Sequence, residues 1–206
     1  MTNAPLQTPR GSKVIIDLEA AHGRGFVDED GTPQTTENLL QKAEAFLIKQ
    51  DPRLRDLVEA HKCHMFTPEG LAEVIEPFQS LTSGIMGQQV SGAAAKSIRN
   101  KFISLFHQNE DGTPGSYPTP DEVVKTDLAH LRTAGLSARK AEYIQGLAEK
   151  FVSGELTAKM LIDASDEEVL QKLVAVRGLG RWSVEMFACF GLKRTDIFST
   201  GDLGVQ

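Results

Sequence analysis

Apolar residues recur at helical spacing over most of the chain. The spacing returns in residues 75–86, in residues 91–106 and through residues 121–176. The segment nearest the N-terminus with this spacing contains Leu39, Leu40, Ala43, Phe46 and Leu47. In the second half of the chain, β-branched residues do not alternate with polar ones over a useful length. The pattern therefore predicts a mainly α fold.

The beginning of the chain has a different character. Residues 1–34 are rich in Gly, Pro, Thr and charged residues, which predicts a flexible leader with one short strand at residues 14–18. Residues 35–206 are expected to form a single helical domain. The opening residues lack the apolar block of a secretory signal, and no tract is long enough to cross a membrane, so we expect an intracellular protein without a membrane partner.

Charge neither supports nor excludes nucleic acid as a partner. The formal net charge is −6, from 22 Lys and Arg against 28 Asp and Glu. Most of the acidic excess lies in residues 1–80, and the remainder is nearly balanced. A local basic patch and backbone amides can contact phosphates in a protein that is acidic overall. Two cysteines are too few for a disulfide framework or a four-cysteine iron–sulfur site.

The most informative segment is a helical hairpin at about residues 169–192. Gly178 and Gly180 bracket Leu179 between two apolar helical patterns. Glycine adopts positive φ without a Cβ penalty and lets a phosphate approach the backbone. A second helix that begins at Arg181 would direct its unpaired N–H groups and positive dipole end at such a phosphate. The same glycines also suit an ordinary helix–turn–helix corner.

A carboxylate follows the hairpin in the run that ends Gly201-Asp202-Leu203. On position alone, Asp202 is a helix N-cap as readily as a reactive group. A cap position also places a carboxylate at the mouth of a cleft, so both interpretations stay open here.

Taken together, the order of these motifs resembles the helix-hairpin-helix superfamily of base-excision DNA glycosylases. The run GLGRW, a helix, Asp-Ile-Phe and then Asp-Leu-Gly carry the resemblance, with IMGQQVS at residues 85–91 and LRTAGLSARK at residues 131–140. The alkyladenine branch, with its bacterial and fungal 3-methyladenine enzymes, is the most similar. The resemblance covers roughly residues 35–206. It implies the helix-hairpin-helix DNA glycosylase fold, apparently truncated at the C-terminus.

By this resemblance Asp202 is the catalytic carboxylate. Cleavage of an N-glycosidic bond builds positive charge on the deoxyribose, which a nearby carboxylate stabilises. Trp182 stands where glycosylase/lyases carry a nucleophilic lysine, and an indole cannot form a Schiff base. Water is therefore the expected nucleophile and an abasic site the product. Trp182 and Met186 are candidates for the base pocket, although core packing would also explain both.

The resemblance also implies a set of DNA contacts. The hairpin would hold one phosphate through Gly178, Leu179, Gly180 and Arg181. Gly135 and Ser137 open a helix whose amides would hold another phosphate, and Ser137 also suits a plain N-cap. Gln89 aligns with the residue that fills the gap left by the extruded base; it also suits a polar helix end. A basic rim is expected from Arg177, Arg181, Lys193 and Arg194.

No cofactor is required by this interpretation. Hairpins of this kind often bind a monovalent cation, Na⁺ or K⁺, and by resemblance the ligands would be the backbone carbonyls of Val174, Val176 and Leu179.

The expected function is therefore a monofunctional 3-methyladenine-type DNA glycosylase in base-excision repair, acting as a monomer on double-stranded DNA with a damaged base. The fungal resemblance implies a nuclear location. Three alternatives stay open: a glycosylase/lyase for oxidised bases, a non-catalytic helix-hairpin-helix DNA-binding protein, and an all-α adaptor between proteins.

Overall fold

The computed structural model describes residues 4–14 and 37–206. Within these residues the chain forms eleven α-helices, which confirms the predicted mainly α fold. They are α1 Leu39–Gln50, α2 Arg55–Ala60, α3 Pro68–Ala72, α4 Pro77–Gly87, α5 Gly92–Ser104, α6 Pro120–Lys125, α7 Leu128–Arg132, α8 Ala138–Val152, α9 Ala158–Asp163, α10 Asp166–Val174 and α11 Arg181–Met186. Two 3₁₀ turns, Pro52–Leu54 and His64–Phe66, flank α2, and a π-helical turn, Phe187–Gly191, follows α11.

Short polar side chains set the starts of several of the helices. Thr119 before α6 and Ser165 before α10 each form a capping box with the glutamate three residues later. Ser91 and Ser137 cap α5 and α8 by accepting a backbone N–H of the first turn. These caps satisfy amides that would otherwise lack partners, so each boundary is encoded locally.

The core is built around α4 and α8. These two helices pack against each other, α5 packs on α4, and α6 and α7 pack on α8. Phe78 and Ile85 of α4, with Ile144 and Leu147 of α8, are fully buried. Phe78 also meets Phe151 edge to face, with ring centroids 5.5 Å apart. This pair of helices holds the C-terminal end of α4 beside the first turn of α8.

The N-terminal segment packs onto the helical core. Leu6–Gln7 pairs antiparallel with Lys13–Val14, and Leu6 is 0% exposed. The Gln7 N–H donates to the Ile75 carbonyl at 2.8 Å, just before α4. The sequence predicts a flexible leader over residues 1–34; in the structure residues 4–14 of it pack on the helical domain through the buried Leu6. Of the predicted strand at residues 14–18, Val14 pairs as a strand residue. Residues 15–18 lie outside the described part, as does the rest of the leader.

None of the helices in the described ranges is long and apolar enough to cross a bilayer.

Candidate active site and DNA interface

The hairpin between α10 and α11 has the predicted tight turn. Gly178 has φ +93°, and a Cβ there would lie 2.3 Å from the ring of Tyr143. Gly180 is the N-cap of α11 with φ −82°, and a Cβ on it would meet open space. Leu179 is buried, and its N–H donates to the Val176 carbonyl at 3.1 Å. Gly178 is therefore required by packing, whereas Gly180 leaves the start of α11 open to a ligand.

Asp202 lies beside this hairpin. Its Oδ2 accepts the indole N–H of Trp182 at 2.7 Å, and its Oδ1 accepts the N–H of Gly204 at 2.7 Å. These two hydrogen bonds hold the pKa of Asp202 below its usual value of 3.8, and the bond from Trp182 has the larger effect. The Asp202 carbonyl also accepts the N–H groups of Val205 and Gln206, so Asp202 caps the turn that follows it, as the capping interpretation held. The site therefore holds an ionised carboxylate that is also a cap.

A second contact holds the Asp202 loop on α11. Ser199 is buried and donates its hydroxyl to Glu185 Oε2 at 2.5 Å, while Arg181 Nε donates to Oε1 at 2.7 Å. The Asp202 N–H in turn donates to the Ser199 carbonyl at 3.2 Å. The Ser199 hydroxyl is the main cause that lowers the pKa of Glu185 below its usual 4.5. Sequence reasoning missed Ser199 and Glu185; only the i, i+4 spacing of Arg181 and Glu185 hinted at a pair.

A cleft of about 690 Å³ opens between the hairpin and α4. It brings together four side chains that the sequence predicted for the site: Gln89, Leu179, Trp182 and Met186. Trp182 is 49% exposed, so its ring faces the cleft rather than serving as core. Asp202 does not line the cleft, but its hydrogen bond to Trp182 places the carboxylate at the rim.

The cleft also has walls that the sequence did not indicate. The N-terminal hairpin contributes Gln7, and the start of α4 contributes Glu76. Glu76 accepts the backbone N–H groups of Phe78 and Gln79, and burial raises its pKa above the usual value. A carboxyl that also works as an N-cap carries no separate sequence signal.

Gln89 lies directly after α4, and the Gly135–Ser137 turn lies directly before α8. Gln89 is exposed and has φ +59°. Gly135 has φ +94°, and the Ser137 hydroxyl accepts the Lys140 N–H at 3.2 Å. Ser137 is thus an N-cap, as its alternative interpretation held, and the two proposed DNA contacts remain predictions.

Of the four residues predicted to form a basic rim, two are exposed and two are buried, so the prediction is wrong for the second pair. Arg177 is exposed, 5.8 Å above the Tyr143 ring, and Arg181 is exposed at the start of α11. Lys193 and Arg194, in contrast, are only 1% and 2% exposed.

Hydrogen-bond partners within the protein explain why Lys193 and Arg194 are buried. Lys193 donates to Glu73 and to the Gly70 carbonyl. Arg194 donates to Asp166 and to the carbonyls of Leu161 and Ala164. A buried cation is retained only when such partners replace water, so these two residues hold the fold and do not face DNA.

Of the predicted cation ligands, Val174 and Val176 lie at the C-terminal end of α10, and Leu179 lies in the hairpin turn that follows. The last carbonyls of a helix have no partner within the helix and carry its negative dipole end. Val174 belongs to this last turn, and the Val176 carbonyl keeps one lone pair after it accepts the Leu179 N–H. The carbonyls of Val174, Val176 and Leu179 therefore fit a monovalent cation by chemistry, and its binding stays a prediction.

Comparison with known proteins establishes the family. Residues 82–206 match the HhH-GPD superfamily of base excision DNA repair proteins, and the chain belongs to that superfamily. Within it the sequence groups with the 3-methyladenine DNA glycosylases. It is 33% identical over 168 residues to DNA-3-methyladenine glycosylase 1 of Schizosaccharomyces pombe, covering 81% of this chain and 70% of that protein.

Solved structures agree with the predicted fold. A DNA-3-methyladenine glycosidase from Bacillus halodurans shares 34% identity and a TM-score of 0.59, over 77% of this chain and 67% of that one. The Schizosaccharomyces pombe 3-methyladenine DNA glycosylase in complex with abasic DNA shares 34% identity and a TM-score of 0.52. That match covers 62% of this chain and 59% of the DNA-bound chain. The helix-hairpin-helix glycosylase fold is thereby confirmed.

Proposed function

We propose that this protein is a monofunctional DNA glycosylase that hydrolyses the N-glycosidic bond of alkylated purines of the 3-methyladenine type. The observation that carries the proposal is the 2.7 Å hydrogen bond from Trp182 to Asp202 at the rim of the cleft. In this pair an ionised carboxylate accepts a hydrogen bond from an indole. By resemblance, that indole stands where a glycosylase/lyase carries its nucleophilic lysine. The relatives named as 3-methyladenine glycosylases support the choice of substrate class.

In this proposal the damaged nucleotide leaves the duplex before any bond breaks. The hairpin amides after Gly180 hold the backbone phosphate, and Gln89 fills the gap in the stack. The extruded base enters the cleft and stacks on Trp182, with Met186 beside it. Extrusion is least costly for a base whose pairing is already damaged, which gives part of the selectivity.

The carboxylate then acts on the sugar. As the N-glycosidic bond breaks, C1′ of the deoxyribose gains positive charge, and Asp202 stabilises that charge and orients the attacking water. The base leaves with the bonding electrons, and water supplies the hydroxyl of the abasic product. Asp202 is ionised, its active form, at neutral pH, and the Trp182 hydrogen bond lowers its pKa further below the usual 3.8.

The open face of Trp182 favours the proposed substrate. Alkylation at N3 or N7 gives a purine a positive charge, and a cationic base stacks favourably on an electron-rich indole. The same charge makes the base a good leaving group, so one carboxylate suffices without further acid catalysis. A neutral base would gain less from both effects.

A duplex oligonucleotide with one alkylated purine tests the proposal. We expect release of free base without strand scission, and loss of that release in Asp202→Asn with DNA binding retained. Asp196→Asn is the matched control, because Asp196 is an exposed acid in the same loop. Strand scission with a borohydride-trapped adduct would instead indicate a lyase. Binding without release would indicate a non-catalytic DNA-binding protein.

Three finer predictions accompany this proposal. A monovalent cation at the carbonyls of Val174, Val176 and Leu179 would strengthen the phosphate site by adding positive charge. The protein would act as a monomer on double-stranded DNA. The nuclear location stays a prediction that depends on the fungal resemblance.

A further inference from the structure

The segment that follows α4 adopts an unusual backbone. We call residues 88–90, Gln88, Gln89 and Val90, the wedge loop. Gln89 has φ +59°, a left-handed conformation that non-glycine residues rarely adopt. Such a conformation persists only where surrounding contacts over-determine it, and it occurs preferentially at functional sites. The wedge loop must therefore be fixed by neighbours.

One such contact joins the wedge loop to the hairpin. Gln88 donates its side-chain amide to the carbonyl of Gly178 at 2.8 Å, across 90 residues of sequence. Gly178 packs against the Tyr143 ring so closely that a Cβ on it would lie 2.3 Å from a ring carbon. The Gln88 amide thus ties the wedge loop to the closely packed turn of the hairpin.

A second contact joins the wedge loop to α8. The Lys140 ammonium donates to the Met86 carbonyl at 3.0 Å and to the Gln88 carbonyl at 2.8 Å. A cation at these carbonyls is favourable because they form the negative end of α4. Lys140 lies in the first turn of α8, three residues after its N-cap Ser137. Its partial desolvation, which lowers its pKa, agrees with a side chain drawn into a contact rather than left in solvent.

We propose that Gln88 and Lys140 are positioning residues that lock the wedge residue Gln89 in register with the hairpin and with the start of α8. The proposal rests on the proposed function, because it takes Gln89 as the residue that fills the duplex gap. Without the two contacts, the loop would have to be ordered at the moment of insertion, which would weaken base extrusion. With them, insertion and the grip on the phosphate act as one rigid unit.

Nucleotide extrusion provides a direct test. The variants are Gln88→Ala and Lys140→Met, with Gln89→Ala to define the effect of losing the wedge itself. Gln171→Ala and Lys101→Met are the matched controls, because both side chains are exposed and lie outside the site. Two duplexes carry the same alkylated purine, one paired and one in a single-nucleotide bulge. A 2-aminopurine beside the lesion reports its unstacking.

We expect Gln88→Ala and Lys140→Met to reduce 2-aminopurine unstacking and to slow single-turnover excision from the paired duplex about 10- to 100-fold. In the bulge, where the base is already unstacked, their rates should stay within about threefold of the unmodified protein, as for Gln89→Ala. Both controls should match the unmodified protein on both duplexes. Thermal unfolding of each variant identifies any that fail to fold, and Gln88→Ala alone suffices for the test.

Two results would overturn the proposal: unstacking equal to that of the unmodified protein, or equal loss of rate on both duplexes. The second result would assign Gln88 and Lys140 a general structural role. If the unmodified protein unstacks the lesion but releases no base, the proposed function fails while the 2-aminopurine signal still tests the positioning role.

Discussion

Trp182 donates its indole N–H to Asp202 Oδ2 at 2.7 Å, across twenty residues and one helix. The same ring leaves a face open to the cleft. One side chain therefore orients the carboxylate and lowers its pKa while it forms a wall of the pocket. The stacking and hydrogen-bonding roles of Trp182 are separable by substitution.

Replacement of Trp182 by Phe retains an aromatic face and removes the hydrogen bond. Because that bond is the main cause that lowers the pKa of Asp202, we expect the pKa to rise toward its usual 3.8. Asp202 acts only when it is ionised, that is, above its pKa. As the pH falls, Trp182→Phe should therefore lose excision at a higher pH than the unmodified protein does. Single-turnover rates between pH 2.5 and 6, corrected for spontaneous base loss, measure the acid limb. An unchanged acid limb would show that the indole N–H does not control the pKa of Asp202.

The Ser199–Glu185 contact should matter for rate and not for DNA affinity. Ser199→Ala frees the loop that carries Asp202, and we expect about a tenfold slower excision with an unchanged Kd for DNA. Thr200→Ala is the control, since Thr200 is exposed and adjacent. Single-turnover kinetics and equilibrium binding separate the two quantities. Equal loss of affinity and rate would contradict a role confined to the loop.

The same contact predicts a pH-dependent stability. The pKa of Glu185 is lowered in the folded protein, so its stabilising contribution is present above the usual 4.5 and disappears as the pH falls through the folded value. At pH 7, Ser199→Ala should lose about 1–2 kcal/mol of unfolding free energy. Urea unfolding from pH 3 to 7 should show this difference shrinking below pH 4.5. A constant difference would mean that Glu185 does not titrate with the contact.

The two hairpin glycines should respond differently to alanine. Gly178→Ala forces a Cβ into the Tyr143 ring at positive φ, so we expect a loss of about 2 kcal/mol or more in unfolding free energy. Gly180→Ala meets open space at an allowed φ, so stability should change by about 0.5 kcal/mol or less. DNA affinity should nevertheless fall in Gly180→Ala, because the methyl group faces the phosphate. Thermal unfolding and DNA titration give both quantities; an unaffected affinity would place the phosphate elsewhere.

Local chemistry explains which features could be predicted from sequence. Gly178 needs positive φ whatever surrounds it, and Ser137 caps the helix that follows it, so both were predictable from neighbouring residues. Asp202 emerged from the order of motifs and not from its own surroundings. In contrast, the burial of Leu6 depends on Ile75, far along the chain. Polar composition around Leu6 gave no sign of that contact.

The two charged residues that follow the hairpin also have partners that the sequence alone does not indicate. Lys193 pairs with Glu73 across 120 residues, and Arg194 with Asp166 across 28. A Lys-Arg pair after a hairpin suggests a surface that binds phosphate, and only tertiary partners reveal that both side chains are buried. The Ser199–Glu185 contact was missed for the same reason, because neither residue type indicates the other.

The buried position of Arg194 leads to a last prediction. Arg194→Met removes the cation that donates to Asp166 and to the carbonyls of Leu161 and Ala164. We expect a loss of about 1–3 kcal/mol of unfolding free energy, since the change removes charge-assisted hydrogen bonds while the half-exposed Asp166 stays solvated.

The exposed Arg177 is the matched control for Arg194. Arg177→Met should keep stability within about 0.5 kcal/mol but weaken DNA binding and lower its salt dependence by about one phosphate contact. Urea unfolding and DNA titration at several salt concentrations distinguish the two arginines. If Arg194→Met unfolds like the unmodified protein and loses only salt-dependent affinity, then Arg194 faces DNA after all. In that case the ion pair with Asp166 does not hold α10 to the loop after α11, and the hairpin must be stabilised by its apolar contacts alone.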